Sequence, residues 1–430
     1  MKTKLFYLAS LVLFTACSGG GSDVSPPTSR GIAGPSPTPQ ASLIWLSSSG
    51  LFRSQTDGTG LITLDSNPAM PLPYVASGAL IVYNKGFHLP AGPPRRDVWV
   101  VHINGTGQRV LANNQDDEIL RDTIGPWAIY DRTPEELRPN NLWSSSLDGQ
   151  QTRLLVEANE TAGEQTFPFY HGKAAGRAIY FLGCLLGKVD PACGQLHSIL
   201  PNGTERRQLT SDSFNPRLVG TVGTRMIYSQ LSENAMVPDI LSVPVTGGPS
   251  TTLADSQDYE WVGLIVGSSV VYHRCEVHPP SPVVGQCDVY SVNGDGSGTI
   301  ALSTHPDNER VQGLIGSRVI VRRNSGATDS LYSIPAGGGT ETHILTLEAQ
   351  AEFVIGIVDD RIILLRPSGV WSVQSDGSNL IQLTNQRDEF AGSAGSFACL
   401  GRGDALWCVP VDGSAEARQV TDEGTFVAGL

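Results

Sequence analysis

Residues 369–384 read GVWSVQSDGSNLIQLT, and the pattern of this stretch decides the fold. An alternating run that contains an aromatic residue is followed by an Asp-Gly pair and then by a second apolar run. Such a pattern is typical of two antiparallel strands joined by a tight turn. The stretch therefore predicts a β-hairpin that turns at Asp376-Gly377, with Trp371 five residues before the turn.

The same hairpin pattern occurs nine times along the chain, with a mean spacing of about 44 residues. Every turn position is followed by glycine, and seven of the nine residues that stand five positions earlier are Phe, Tyr or Trp. The turn positions are Asp57, Asn104, Asp148, Asn202, Thr246, Asp295, Gly337, Asp376 and Asp412. The residues five positions earlier are Phe52, Trp99, Trp143, His197, Leu241, Tyr290, Tyr332, Trp371 and Trp407.

A further pair of apolar strands precedes each hairpin, as in RLVGTVGTRMIYSQL (217–231) before DILSVPV (239–245). Four-stranded units of this length are the blades of β-propellers. One blade buries its two faces only against two neighbours, so the array must close into a ring. The sequence therefore predicts an all-β fold, a single β-propeller over residues 42–430, with nine blades. The alternative is eight blades with one irregular hairpin, in blade two or blade four.

The two ends of the chain predict how the ring closes. The first hairpin, LIWLSSSGLFRSQTDG (43–58), has a preceding strand but no innermost one. Near the C-terminus, residues 426–430 (FVAGL) match the innermost strand 353–357 (FVIGI) in spacing. We therefore expect the C-terminal strand to pair into the first blade and complete it.

The repeat VWSVQSDGSNLIQLT (370–384) resembles the repeats of TolB-type propellers and of the N-terminal propeller domain of dipeptidyl-peptidase-IV-like peptidases. The similarity covers nearly the whole mature chain at the level of the repeat. It implies an extracytoplasmic propeller and names no ligand, because one fold carries many functions.

The first 41 residues differ from the rest. Two lysines in MKTK precede an apolar run from Leu5 to Ala16, and a run of about a dozen residues is too short to span a bilayer as a helix. Residues 1–16 are therefore predicted to be a cleaved signal. Residues 17–41, rich in Gly, Ser and Pro, bury too little apolar surface to fold and are predicted to form a disordered tether.

Thr15 and Ala16, just before Cys17, resemble the lipobox of bacterial lipoproteins. The resemblance implies a lipidated Cys17 as the first residue of the mature protein. The residue that follows Cys17 is Ser18 and not Asp. By the same resemblance, this implies an outer-membrane lipoprotein of the bacterial cell envelope, facing the periplasm or the cell surface. The alternative is an ordinary secretory signal with an incidental cysteine.

Six cysteines remain after Cys17, and they fall in three close pairs: Cys184-Cys193, Cys275-Cys287 and Cys399-Cys408. We place all three at the connection between second and third strands, and this shared position favours three local disulfides over the other connectivities. Disulfides agree with an oxidising compartment. A zinc site made of His273, Cys275, His278 and Cys287 is the alternative for one pair, although its spacing matches no familiar ligand pattern.

The net charge of −13 argues against a nucleic-acid partner and against direct binding to an anionic membrane, since both need a basic face. Membrane contact is expected through the lipid anchor only, and we expect a monomer. The chain contains no G-x-S-x-G, H-E-x-x-H or G-x-x-x-x-G-K-[ST] motif. The prediction is therefore a non-enzymatic protein with no cofactor, no metal site and no catalytic residue.

Acidic residues recur at the crossings from one blade to the next, where we expect them to ring the mouth of the central channel. Focused negative potential there would attract a cation or a basic segment; the alternative is that these acids only solvate the crossings. The candidate binding residues are Asp117, Glu118, Asp258, Glu260, Asp307, Glu309, Asp388, Glu389, Asp422 and Glu423.

Long loops between second and third strands should enlarge the same face, and such loops often carry recognition. They lie at 84–96, 131–140, 184–193 and 275–287. The sequence thus predicts a protein-binding scaffold of the envelope that contacts a protein or peptide through this acidic face. The alternative function is a propeller enzyme, a carbohydrate lyase or hydrolase, with its site at the channel mouth.

Overall fold

The structure is a computed structural model, and it describes eleven ranges of the chain. These are residues 41–66, 74–87, 95–133, 140–161, 164–184, 194–211, 214–231, 237–277, 284–326, 328–348 and 352–429. The predicted signal, Cys17 and nearly all of the predicted tether lie outside them.

Within these ranges, the strands form nine antiparallel sheets arranged as nine blades. Blade one contains β1 (Ser42–Ser47), β2 (Gly50–Gln55) and β3 (Ile62–Asp65), and blade two contains β4 (Tyr74–Ser77), β5 (Leu80–Phe87), β6 (Arg95–His102) and β7 (Arg109–Ala112). Blade three contains β8 (Asp117–Ile124), β9 (Trp127–Thr133), β10 (Asn141–Ser146) and β11 (Thr152–Val156). Blade four contains β12 (Asn159–Thr161), β13 (Glu164–Ala174), β14 (Arg177–Cys184), β15 (Leu196–Ile199) and β16 (Arg207–Gln208).

The remaining five blades have four consecutive strands each. Blade five contains β17 (Phe214–Val222), β18 (Arg225–Leu231), β19 (Pro238–Pro244) and β20 (Thr251–Ala254), and blade six contains β21 (Tyr259–Val266), β22 (Ser269–Val277), β23 (Val284–Asn293) and β24 (Ile300–Ser303). Blade seven contains β25 (Asn308–Ile315), β26 (Arg318–Asn324), β27 (Thr328–Pro335) and β28 (Thr342–Glu348). Blade eight contains β29 (Phe353–Val358), β30 (Arg361–Arg366), β31 (Gly369–Gln374) and β32 (Ile381–Thr384). Blade nine contains β33 (Glu389–Ala394), β34 (Phe397–Arg402), β35 (Ala405–Pro410) and β36 (Arg418–Thr421), and β37 (Thr425–Gly429) ends the chain.

The nine-bladed prediction is confirmed, and so is the closing strand: β37 pairs with β1 and becomes the inner strand of blade one. The expected register is wrong by one residue. Phe426 lies opposite Trp45, as Val354 lies opposite Leu364 in blade eight. Phe426 is therefore the equivalent of Val354 and not of Phe353. Blade four carries an additional short strand, β12, but keeps its hairpin.

The hydrophobic core is divided among the contacts between blades. In the described part of the chain, nine buried clusters each join two neighbouring blades. The cluster between blades nine and one contains Leu43 and Trp45 on one side and Leu406 on the other, with Phe426 packed against it. The contact between blades nine and one therefore buries apolar surface as the other contacts between blades do. This burial is the main stabilising contribution in such a fold.

The Asp-Gly turns form as predicted. At seven turns the Asp or Asn side chain accepts a hydrogen bond from the backbone N–H two residues later, a local bond that favours the turn. These residues are Asp57, Asn104, Asp148, Asn202, Asp295, Asp376 and Asp412. The glycine that follows each turn position has positive φ, as at Gly377 (φ 86°), where a Cβ would meet the carbonyl oxygen of Ile344 at 2.4 Å.

Two of the three predicted disulfides, Cys275–Cys287 and Cys399–Cys408, are present. Cys193 lies outside the described residues, so the third pairing stays a prediction. The expected common position is wrong for Cys399–Cys408, which joins the middle of β34 to β35 inside the core between blades nine and one. Disulfides are rare in the cytoplasm, so the two bonds indicate that the protein folds outside it.

Candidate functional site at the channel mouth

The inner strands of the blades form the wall of the central channel, since from β4 of blade two to β37 of blade one each inner strand contacts the next along the chain. In β8, β13, β17, β21, β25, β29 and β33 the pairing with the second strand shifts by one residue at an equivalent place. This shift is a β-bulge. It sets a common register for the seven strands, so equivalent positions in different blades can be compared directly.

Three residues before the bulged residue, five blades place a carboxylate that points into the blade. It forms an ion pair with an arginine fourteen residues later, at the end of the second strand. The pairs are Glu118–Arg132 at 3.1 Å, Glu260–Arg274 at 3.1 Å, Glu309–Arg323 at 3.0 Å, Glu352–Arg366 at 3.1 Å and Asp388–Arg402 at 2.7 Å.

Each of these arginines also lies against the aromatic ring of the third strand. The guanidinium carbon is 4.1 Å from the Trp143 ring centroid for Arg132, 4.5 Å from Tyr290 for Arg274, 4.1 Å from Tyr332 for Arg323, 5.4 Å from Trp371 for Arg366 and 4.7 Å from Trp407 for Arg402. These are cation–π distances. We call each set a carboxylate–arginine–aromatic unit. The aromatic series therefore has a structural role, within the blade as well as between blades.

These units show that the predicted acidic ring at the mouth is wrong for four of its residues. Glu118, Glu260 and Glu309 have no exposed surface, and Asp388 is 4% exposed. The prediction placed them at the mouth because they lie at the crossings, but successive residues of a strand point to opposite faces. These four turn toward the arginine, so they have little or no surface to offer a ligand.

Burial dominates the electrostatics of these carboxylates. It raises the pKa of Glu118 to about 7 against the opposing effect of Arg132, and it also raises the pKa of Glu260 and of Glu309. The second carboxylate oxygen of all three accepts no hydrogen bond. These shifts follow from desolvation, which disfavours the charged form.

The other six predicted acids lie nearer the surface. Asp117 forms an ion pair with Arg96 of blade two, and Asp307 lies 3.4 Å from the His305 ring. Asp258 is partly exposed, while Glu389, Asp422 and Glu423 are exposed. Among the described residues, these last three carboxylates have no cationic side chain within ion-pair distance. The exposed acidic surface at the mouth therefore consists of residues of blade nine and residues just before the closing strand.

A different set of side chains occupies the position one residue after the buried carboxylate, and these side chains point to the other face of the strand. The residues at this level of the wall, from blade three to blade nine, are Ile119, Phe169, Arg217, Trp261, Arg310, Phe353 and Glu389. Phe169 is 46% exposed and Phe353 is 38% exposed, both high for phenylalanine. Sequence reasoning missed this set because the bulges that align it leave no mark in the residue spacing.

Two histidines are buried, His197 on the third strand of blade four and His273 on the second strand of blade six, and burial lowers the pKa of both to about 4. His197, which occupies the aromatic position of its hairpin, stacks on Tyr180 at 5.3 Å. His273 stacks on Trp261 at 4.5 Å, and its Nε2 accepts the backbone N–H of Val311 at 2.9 Å. The disulfide engages both sulfurs of Cys275 and Cys287, so the two thiolates that the zinc alternative needs are absent; His278 of that alternative lies outside the described residues.

The described ranges contain no helix of the length and apolar character that crossing a bilayer would require. Of the long loops predicted to enlarge the mouth, most residues lie outside those ranges.

No protein-family model and no curated protein matches the chain. Among solved structures, Porphyromonas gingivalis dipeptidyl peptidase 4 is similar with a TM-score of 0.53 and 13% identity, over 82% of this chain and 62% of that one. The β-propeller domain of the Trilobed protease from Pyrococcus furiosus gives a TM-score of 0.37 and 12% identity over 82% and 95%. An oligogalacturonate lyase in complex with manganese gives 0.35 and 11% over 82% and 98%.

The chain thus spans 62% of the length of the dipeptidyl peptidase that it matches. At such identities the likeness concerns architecture alone. The chain is a nine-bladed β-propeller, and its architecture is similar to that of the dipeptidyl peptidase.

Proposed function

We propose that this protein is a lipid-anchored propeller of the bacterial envelope, without catalytic activity of its own, that binds a protein or peptide partner through its crossing face. By crossing face we mean the side of the ring on which the chain passes from each outer strand to the next inner strand. The two disulfides support a place outside the cytoplasm. The anchor would be Cys17, and the molecule would act as a monomer.

One observation carries the binding proposal: three exposed carboxylates, without a cationic partner in the described part of the chain, stand at the starts of two neighbouring inner strands on the crossing face. Glu389 begins β33, while Asp422 and Glu423 directly precede β37. β33 and β37 contact one another as neighbouring inner strands. Unpaired acids in a protein of net charge −13 favour a partner with a basic segment.

The test is site-specific photocrosslinking in living cells. A photoreactive residue at Gln386, exposed in the crossing before β33, should give a discrete adduct. The double variant Glu389→Lys/Glu423→Lys should abolish it. Asp388 is left unchanged, because its pairing with Arg402 is structural.

Glu416→Lys is the matched control, since Glu416 is exposed in the turn between β35 and β36 of the same blade, on the opposite face. An adduct that survives the double variant, or that the control removes equally, would contradict the proposal. Turnover of envelope or plant polysaccharides by the purified protein, with or without divalent metal, would instead favour the enzymatic alternative.

The anchor is tested separately with Cys17→Ser. We expect this variant to lose incorporation of radioactive palmitate and to leave the membrane fraction. Unchanged labelling and fractionation would show that the N-terminus is an ordinary secretory signal with an incidental cysteine.

A further inference from the structure

We propose that the channel wall of blades four to eight is a binding site for a short acidic oligosaccharide of the hexuronate type. The site consists of Phe169, Arg217, Trp261, Arg310 and Phe353, which we call the arginine–aromatic arc. It is distinct from the acidic crossing face and binds a different class of ligand.

The arc is defined by register. Each of its residues lies two positions before the bulged residue of its inner strand, so all five stand at one level of the wall, on consecutive blades. Aromatic and arginine side chains alternate from blade to blade along it. The second strand covers each inner strand from behind and neighbouring blades cover it from the sides, so the exposed surface of these side chains faces the channel.

The two arginines of the arc differ from the arginines of the carboxylate–arginine–aromatic units and from Arg121. Arg132, Arg274, Arg323, Arg366 and Arg402 pair with buried carboxylates, and Arg121 on the inner strand β8 pairs with Asp131. Arg217 and Arg310 are exposed and form no ion pair with any residue that the structure describes. A guanidinium with no ion-pair partner among the described residues is available to an anionic ligand.

The aromatic members contact the protein and still leave surface free: the Phe169 ring lies against Gly183 of the second strand, and the Arg322 guanidinium lies 5.8 Å from the Phe353 ring. Phe169 and Phe353 leave more than a third of their surface exposed. Trp261 is fixed on its inner side by the stacked His273, which the Val311 N–H holds in place. The indole is therefore a positioned platform, and such preorganised aromatic surface is what binding sites use at low entropic cost.

The ligand class follows from this alternation. A hexuronate unit carries an apolar face of C–H groups and a carboxylate at the edge of the same ring. Its apolar face can pack on an aromatic ring while a neighbouring guanidinium binds the carboxylate through two parallel hydrogen bonds. A short oligomer carries few charges, so the negative charge of the whole protein, largely screened beyond about 8 Å at physiological salt, opposes it little.

The test is isothermal titration of the full mature protein with trisaccharides of mannuronate, galacturonate and glucuronate. We expect at least one to bind and the corresponding neutral hexose trisaccharide not to bind. Arg217→Gln and Arg310→Gln should each weaken binding by about tenfold or more, since each removes a charged hydrogen bond. Phe353→Ala should weaken binding of the acidic sugar as well.

Arg153→Gln is the matched control, because Arg153 is an exposed arginine on the outer strand β11, far from the inner strands of the arc. Unchanged melting temperatures of the arc variants establish that they are folded. Absence of binding to all three acidic trisaccharides overturns the proposal, and so does equal weakening by Arg153→Gln. Binding of a hexaglutamate peptide or a single-stranded oligonucleotide that depends on the arc arginines, without sugar binding, also overturns it. Glu389→Lys/Glu423→Lys should leave sugar binding intact, which separates this site from the proposed protein-binding face.

Discussion

Replacing Arg323 by methionine should strongly destabilise the protein, because it breaks one carboxylate–arginine–aromatic unit from the inside. Glu309 has no exposed surface, and its Oε1 accepts a hydrogen bond from Arg323 Nε at 3.0 Å and another from the Ser303 hydroxyl. Arg323 Nη2 also donates to Ser303 at 2.9 Å and contacts Glu341 at 2.9 Å. Methionine preserves apolar volume and removes every polar contact that Arg323 makes, while the Ser303–Glu309 hydrogen bond can remain.

The expected loss is about 3–5 kcal/mol in the free energy of unfolding, the cost of leaving a buried charge without its partner. The stacking of the guanidinium on Tyr332, at 4.1 Å, accounts for a part of about 0.5–2 kcal/mol. Burial already raises the pKa of Glu309, so without Arg323 the carboxylate should take up a proton more readily and the loss should shrink at low pH.

Urea unfolding of the purified protein measures this cost. The double variant Arg323→Met/Glu309→Gln should be more stable than Arg323→Met alone, because it leaves no buried charge. Arg310→Met, an exposed arginine of the same blade without an ion pair in the described residues, should change stability by less than about 0.5 kcal/mol. A single variant that costs less than about 1 kcal/mol, or a double variant no better than the single, would refute the reasoning.

Three further predictions follow from burial and backbone geometry. The wild type should lose stability as the pH rises from about 4.5 to about 7, because the carboxyl of Glu118 has a pKa of about 7 in the folded state and a lower one in the unfolded state. Glu118→Gln should remove this loss. Parallel stability–pH profiles of the two proteins would contradict this. The wild type should also lose stability as the pH falls from about 6.5 to about 4, because the folded state disfavours the charged ring of His197. His197→Phe should remove this loss of stability, as measured by thermal melts across that pH range. Gly377→Ala should cost more than about 1 kcal/mol and more than Gly78→Ala, which shares a positive φ but has no atom within 4 Å of the added Cβ; equal costs would show that the close approach to Ile344 is unimportant.

The hairpins could be predicted from sequence because their signals are local. An Asp376 side chain that accepts the Ser378 N–H, and a glycine with positive φ after it, depend only on residues within the turn. The closing strand was also predictable, since an apolar C-terminal run must find a partner. Its register was not, because the shared spacing aligns Gly429 with Gly356, whereas the strand pairing places Ala428 at the position of Gly356.

The site was less predictable because it depends on which face of a strand a residue occupies. Asp388 and Glu389 are adjacent in sequence, yet one pairs with Arg402 inside the blade and the other is exposed. A recurring acid and arginine fourteen residues apart was visible in the sequence and could have indicated the internal pairing. The arginine–aromatic arc had no such signal, since its members align only after the bulges are placed.

The central claim, a nine-bladed ring closed by its C-terminal strand, is tested most directly by a disulfide across the closure. Leu46 and Thr425 are register partners on β1 and β37, so Leu46→Cys/Thr425→Cys should form an intramolecular bond in the oxidised monomer, seen as a mobility shift on non-reducing gels. Closing so long a loop should stabilise the fold by about 6 kcal/mol in the chain-entropy model. The control Leu46→Cys/Glu416→Cys should stay unbridged, because Glu416 lies in the turn between β35 and β36 on the opposite face. Free thiols in the closure variant, with no gain in stability, would contradict a closed ring.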